Sequence, residues 1–519
     1  MPENRIKRAG IISVALIIAV IYTLAIILCT VIIRKDDPLL SGGTPSSTYI
    51  DTSSVDGFTS SNITSSYDNV TSSVISSIST DTSSEDKGSS NAYSSDVLNN
   101  VSSAASNTSS NSQTSSSVTS TTSSSLISSV TSSHVTSSNN SIQPQKSFTS
   151  GIWYSFEDLN FKTLDYKGFK SKVDKMFDDA VSLGADAVIC QVRPFADALY
   201  YSDYFPLSEI LTGKQGKDPG YDALDYMVSA AHSRGLQMHA WLNPYRVTLW
   251  SADHTLLADD NPAKIWLTDD DPNNDRNVLK YNNRLYFNPA VKEVQTLVLN
   301  GVREIVNNYE VDGIHIDDYF YPSDPHVADG FDKPEYDNYV SNGGNLPLDD
   351  WRRNNINVLV SGIYRAVKTI DNSVVFGVSP SYHISNNGTD DNYKFKYADI
   401  KKWMTASGYI DYIAPQLYFG YQYPNDEIKY DYLLNLWTSL SRLPRVKIYI
   451  GLAAYKINDA TADLSSGEWI TENDILARQT TDAKKYNCDG VFIFSYSGLF
   501  NDDPLNAEQR NNLSTVLKK

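Results

Sequence analysis

The chain has 519 residues, with 43 Lys or Arg against 61 Asp or Glu and a formal net charge of −18. That acidic balance keeps a protein soluble and argues against nucleic acid or another polyanion as a partner. Three cysteines exclude a disulfide scaffold, and Cys190 and Cys488, far apart inside apolar runs, read as small core hydrophobes.

Residues 9–33 form a run of 25 without a charge, flanked by Arg5, Lys7 and Arg8 before and Arg34 and Lys35 after. As a helix the run measures about 37 Å, enough to cross a hydrocarbon core of roughly 30 Å with some tilt. It is longer than the apolar region of a cleaved signal peptide, and Leu28 stands where a lipoprotein signal before Cys29 needs a small residue. An uncleaved single-pass anchor within 1–40 is expected. Residues 41–140 contain 54 Ser or Thr. Such a segment cannot bury enough surface to offset its chain entropy, so a disordered stalk is expected over 41–147. A stalk of this kind normally lifts an extracellular domain off a membrane, which places 148–519 outside the cell.

From residue 151 onward, β-branched or aromatic runs alternate with amphipathic helical stretches. Strands are expected at 151–156, 187–193, 237–243, 313–317, 374–379, 412–418, 447–453 and 490–495. Helices are expected among others at 167–183, 221–234, 290–308, 351–370 and 470–486, with Gly184 and Gly235 at C-cap positions. Eight strands, each followed by a helix, predict an α/β fold of the (β/α)₈ TIM-barrel type. Insertions at 248–285, 321–349, 383–396 and 456–469 all follow strand ends, the side on which such barrels place active sites.

The strand ends turn polar or aromatic together. The run Val311-Asp312-Gly313-Ile314-His315-Ile316-Asp317-Asp318 ends in two adjacent carboxylates, and the strand period of two puts Gly313, His315 and Asp317 on one face. Buried carboxylates are costly unless paired, so an acidic strand end suggests chemistry. The same period aims Gln191 with Arg193, His239 with Trp241 and Asn243, and Gln416 with Tyr418 toward the barrel axis. Their convergence on one mouth is the signal.

These pieces resemble the glycosyl-hydrolase-like family ten of bacterial envelope proteins. The resemblance is carried by Gln191-Val-Arg-Pro194 with Asp197-Ala-Leu-Tyr200, His239-Ala-Trp-Leu-Asn-Pro-Tyr-Arg246 and Asp312-Gly-Ile-His-Ile-Asp-Asp-Tyr-Phe-Tyr-Pro322. Gly377-Val-Ser-Pro380, Tyr412-Ile-Ala-Pro-Gln-Leu-Tyr418 and Tyr449-Ile-Gly-Leu-Ala-Ala-Tyr455 continue it, so that it spans about residues 150–513. It implies a TIM barrel that hydrolyses glycosidic bonds, with peptidoglycan glycan strands as the associated substrate. Many relatives are lipoproteins; a transmembrane anchor and a long stalk depart from that pattern.

Glycoside hydrolysis needs a protonated carboxyl for the leaving oxygen and a second group to meet the developing oxocarbenium ion. Asp317 and Asp318 are the candidate catalytic pair, but neighbours in sequence are poorly placed to straddle a sugar ~5 Å or more apart. In one scheme Asp317 is the nucleophile, and the acid is Glu157, Asp197 or Glu468. In the other, favoured here, a 2-acetamido group of the substrate is the nucleophile, oriented by Asp317, with Asp318 as general acid/base. Arg193 is the candidate for a sugar carboxylate such as a lactyl group, or else an ion-pair partner of Asp197 or Asp317. Trp241, Tyr245, Tyr319, Tyr418, Tyr455 and Tyr496 offer faces for sugar rings, and Asn243 and Gln416 offer amides for hydroxyl or acetamido groups. Asp197, His239 and His315 complete the expected lining. His239, His315, Asp317, Asp318 and His383 also allow a metal reading, disfavoured because the first strand has no histidine. No metal or cofactor is expected, the oligomeric state is not legible, and the alternative is a barrel that binds carbohydrate without cutting it.

Overall fold

The computed structural model describes residues 148–322, 330–385, 387–460 and 467–518. The anchor expected at 9–33 and the stalk expected over 41–147 lie outside them. Among the described residues no helix is long and apolar enough to cross a membrane.

Eight parallel strands close into a barrel: β1 (Thr149–Tyr154), β2 (Ala187–Arg193), β3 (Gln237–Leu242), β4 (Gly313–Ile316), β5 (Val375–Val378), β6 (Tyr412–Ile413), β7 (Lys447–Ala453) and β8 (Gly490–Phe494). Each pairs with its sequence neighbours, and β1 closes on β8 with Thr149 beside Gly490. The main helices between and after them are α1 (Tyr166–Leu183), α2 (Ala223–His232), α3 (Lys292–Asn308), α4 (Leu348–Ile370), α5 (Ile400–Thr405), α6 (Tyr430–Ser439), α7 (Ile475–Lys485) and α8 (Pro504–Leu517). Local chemistry sets their ends: Asp165 and Asp222 cap α1 and α2 by accepting from the N–H of Gly168 and Asp225. Gly184 closes α1 at φ 94°, a left-handed conformation suited to glycine.

The core has two compartments. One lies between strands and helices, and holds side chains such as Val188, Cys190, Met238, Ile314 and Phe376. The other fills the barrel axis with Trp153, Ile189, Trp241, Tyr412, Tyr449 and Phe492. Alternation along each strand sorts residues between them. Two glycines make room for the axial rings. A Cβ on Gly377 would stand 2.1 Å from the Tyr412 ring, and one on Gly313 would stand 2.8 Å from His239.

Three expectations change at element ends. The strand expected through Tyr418 stops at Ile413, because Pro415 has no N–H to donate. The chain still follows its neighbours: Gln416 N–H donates to Pro380 O at 3.0 Å and Leu417 N–H to Gly451 O at 3.0 Å. The single helix expected over 470–486 is two pieces, Glu468–Thr471 and α7, with Arg478 of α7 ion-paired to Glu472 and Asp474 of the break. Third, the pairing register slips between Gln191 and Arg193, a bulge in β2.

The described parts of the insertions follow the C-terminal ends of their strands. Residues 248–285 include helix Pro262–Thr268 and most of a hairpin, Val278–Tyr281 with Arg284–Phe287, turning through Asn282 and Asn283 at φ 45° and 55°. A buried ion pair between Asp332 and Arg352 at 2.6 Å joins the insertion after β4 to α4.

Candidate active site

The last ladder bond of β4 runs from Ser379 N–H to Ile316 O at 2.9 Å. The next two residues, Asp317 and Asp318, are therefore the first to leave the sheet, and both are buried, at 4% and 3% exposure. Asn243, just past β3, donates through Nδ2 to both oxygens of Asp317 at 2.8 Å. Trp241 Nε1 donates to Oδ2 at 3.2 Å and Tyr319 N–H to Oδ1 at 3.2 Å. Gln191 holds Asn243 in turn, its Nε2 donating to Asn243 Oδ1 at 2.6 Å while its Oε1 accepts from Phe156 N–H at 2.9 Å. Side chains from the ends of β2 and β3 thus fix one carboxylate at the end of β4.

Asp318 has a different partner. Lys396, 8% exposed, comes from the insertion after β5 and ion-pairs with Asp318 Oδ2. Burial raises the Asp317 carboxyl above its ordinary range, and the charge of Asp318 raises it further; Arg246 and the N–H donors act against this. Arg246 lies against the Tyr319 ring at 3.9 Å.

Aromatic rings complete the wall. Tyr418, just beyond β6, stacks on Phe494 at 5.9 Å and meets Tyr455 edge-on at 5.7 Å. Tyr319 is 38% exposed. Gln416 donates to Ser379 O at 2.9 Å, linking the ends of β5 and β6.

His239 and His315 lie below the mouth, in the barrel axis. Trp153 Nε1 donates to His315 Nε2 at 3.1 Å, so the proton of that ring belongs on Nδ1, which faces Tyr412 Oη at 2.9 Å. The Tyr412 hydroxyl is then free to donate to His239 Nδ1 at 3.2 Å. Burial lowers the His239 pKa to about 4 and holds His315 well below its usual range, so both rings are neutral near pH 7. His315 contacts the Trp241 ring at 6.1 Å and supports the donor to Asp317 from beneath.

Other expected residues lie away from the pair. After the bulge, Arg193 turns to the helix side and packs its guanidinium over Phe205 at 4.6 Å. Phe205 itself lies against Gly301 of α3. Asp197 is buried with Gln215, whose Nε2 donates to it at 2.9 Å. Tyr245 is buried in the outer core, and Tyr496 donates to Asp179 of α1 at 2.7 Å. Glu468 accepts from Tyr421 and Gln422 N–H at 3.0 and 3.1 Å, a brace between two loops. His383 pairs with Asp391 at 3.2 Å. Glu157 stands exposed next to Phe156, and partial burial, then the charge of Asp158, push its pKa up to about 7.

Sequence reasoning missed Lys396 and Arg246 as site residues. Lys396 lies 78 positions from Asp318, with no local signal. Arg246 closes a run whose alternation pointed only to 239, 241 and 243.

The profile described as "Glycosyl hydrolase-like 10" matches residues 150–470. The chain belongs to the glycosyl hydrolase-like 10 family. It is 36% identical over 370 residues to "Glycosyl hydrolase YngK" of Bacillus subtilis (strain 168), covering 69% of this chain and 68% of that one. It is 32% identical over 365 residues to "Glycosyl hydrolase DigH" of Escherichia coli (strain K12), covering 67% of this chain and 79% of that one. The solved PgaB (BpsB) glycoside hydrolase domain from Bordetella bronchiseptica superposes with TM-score 0.48 at 14% identity, over 70% of this chain and 99% of that one. The match to the glycosyl hydrolase-like 10 family spans β1 to β7 and contains every residue placed around the acid pair except Phe494.

Proposed function

We propose that the chain is a membrane-tethered, extracytoplasmic glycoside hydrolase that acts on cell-wall glycan, peptidoglycan strands first among them, through Asp317 and Asp318. The observation that carries this reading is the buried acid pair, one member held by Asn243 and Trp241 and the other by Lys396. Tethering and placement outside the cell rest on the apolar run at 9–33 and the Ser/Thr-rich stretch that follows.

The donors on Asp317 are all N–H groups and fix its orientation, which suits a carboxylate that orients and polarises a substrate acetamido group. Asp318 pairs with the Lys396 ammonium, and it serves as acid/base once it takes up a proton and that pair opens. Its proton passes to the leaving oxygen while the acetamido oxygen forms a bond to C1. Water, deprotonated by the same carboxylate, then opens the ring so formed. The aromatic wall of Tyr418, Tyr455 and Tyr319 receives the apolar faces of the sugars.

Asp317→Asn and Asp318→Asn are each expected to lower release of reducing ends from glycan strands by about 10²-fold or more. Binding without cleavage by the wild type would leave the carbohydrate-binding alternative. Glu157 supports the alternative scheme with Asp317 as nucleophile, since an acid with a pKa of about 7 suits work near neutrality. If Glu157 is the acid, it must be protonated, so kcat falls as pH rises through about 7 and Glu157→Gln removes that limb. With Asp318 as acid, Glu157→Gln costs less than about tenfold.

A further inference from the structure

Behind the mouth, the end of β2 holds a buried cation that the proposed chemistry does not use. Arg193 is 1% exposed, and its guanidinium packs on Phe205 at 4.6 Å. A ring face attracts a cation but gives its N–H groups no lone pair to meet. Among the described residues neither Nη1 nor Nη2 has a hydrogen-bond partner, and no carboxylate lies within ion-pair distance. The ion pairs that the sequence allowed, with Asp197 or Asp317, do not form. Asp317 is clamped by Asn243, and Asp197 Oδ2 accepts from Gln215 at 2.9 Å. A second donor stands beside the first. Leu199 N–H donates to Val192 O at 2.9 Å, which brings the backbone of Tyr200 back alongside that of Arg193. Tyr200 is fully buried, edge-on to Tyr309 at 5.6 Å, and its hydroxyl also has no partner among the described residues. Burial raises the pKa of that hydroxyl and the Arg193 charge pulls against it, so the two groups act on each other.

A buried charge without a counter-ion is costly, and so are unmet N–H and O–H donors. We propose that Arg193 and Tyr200 bind one buried halide ion, chloride under ordinary conditions. Charge selects the class of ion. The site offers a single guanidinium, and the carboxylates of Asp197, Glu304 and Asp222 act on it or on Tyr200, which disfavours a dianion such as sulfate or phosphate. Enclosure among aromatic rings favours chloride or bromide over fluoride, which holds its water more strongly. Phe205 lies against Gly301 of α3, and Tyr309 directly follows that helix, so the ion ties the loop after β2 to α3. The site is separate from the acid pair, and its test needs no hydrolysis.

The test compares the full chain in sodium chloride and in sodium gluconate at equal ionic strength. The thermal unfolding midpoint is expected to rise with chloride and to level off, as binding to the folded state requires, and bromide should act as chloride does. Arg193→Met, which keeps a stem and removes the charge, should unfold at the same midpoint in both salts. Tyr200→Phe keeps the ring and removes one donor. It should raise the half-saturating chloride concentration about tenfold, the worth of a hydrogen bond to an ion, and it decides the matter if Arg193→Met does not fold. An ion held too tightly for gluconate to displace would instead appear by ion chromatography, as chloride released when the desalted wild type is denatured. Equal midpoints in the two salts with no chloride released would mean that the donors meet only water, and the proposal would be overturned. A chloride effect of unchanged size and half-saturation in both variants would place the ion elsewhere and would overturn it as well.

Discussion

At the scale of single residues, the acid pair is shaped by what each member touches. Asp317 is surrounded by N–H donors on rigid strand ends, whereas Asp318 depends on Lys396, which is delivered by a loop. Removing one member of a buried ion pair leaves the other desolvated and uncompensated, at a cost of about 3–5 kcal/mol. Lys396→Met is therefore expected to lower stability in urea unfolding by roughly that amount. Combining it with Asp318→Asn should recover much of the loss, since no unpaired charge then remains. Additive losses in the double variant would show that Lys396 acts through its stem packing and not through the pair. The pair of strand-end carboxylates was legible in sequence because two adjacent acids interrupt an apolar run. Trp241 and Asn243 were legible from the same alternation, but the cations were not, because Lys396 and Arg246 reach the mouth from loops whose paths no periodicity describes.

At the scale of elements, each parallel strand is buried on both faces, and alternation decides which side chains enter the axis. The rule holds along β3, where His239 and Trp241 point inward and Asn243 reaches the mouth. It fails at the end of β2, where one extra residue in the ladder turns Arg193 outward. A bulge changes which face a residue occupies without changing its hydropathy, so nothing in the pattern Gln191-Val-Arg193 announced it. The axis is also tightly filled. Gly377 faces the Tyr412 ring so closely that Gly377→Ala must displace it, and with it the hydroxyl shared by His315 and His239. The expected cost is about 1–3 kcal/mol, seen as a lower urea midpoint. An unchanged midpoint would mean that the ring shifts freely and that the axial network is loose.

At the scale of the whole molecule, closure of the barrel depends on β1. Thr149 through Trp153 pair with Gly490 through Phe494 on one side, and Gly151 through Tyr154 with Ala187 through Cys190 on the other. A chain starting at Phe148 is therefore expected to fold and to cleave soluble glycan with the kcat/KM of the full chain. A chain starting at Ser155 lacks a strand, exposes two sheet edges and should be recovered only as aggregate. Equal activity of both truncations would contradict a closed barrel as the catalytic unit.

The sequence by itself determined the alternation of eight strands with helices, the sorting of apolar side chains and the acidic end of β4. These follow from local spacing: a period of two for strands, 3.6 for helices, and caps or glycines at their ends. Tertiary structure alone decided which distant groups meet that acidic end. Lys396 and Arg246 reach it by loop path and barrel closure, while Arg193, Asp197 and Tyr245, equally polar or aromatic in sequence, are buried elsewhere. Chemistry at a barrel mouth depends on contacts between residues tens of positions apart, and the local periods carry no information about those contacts.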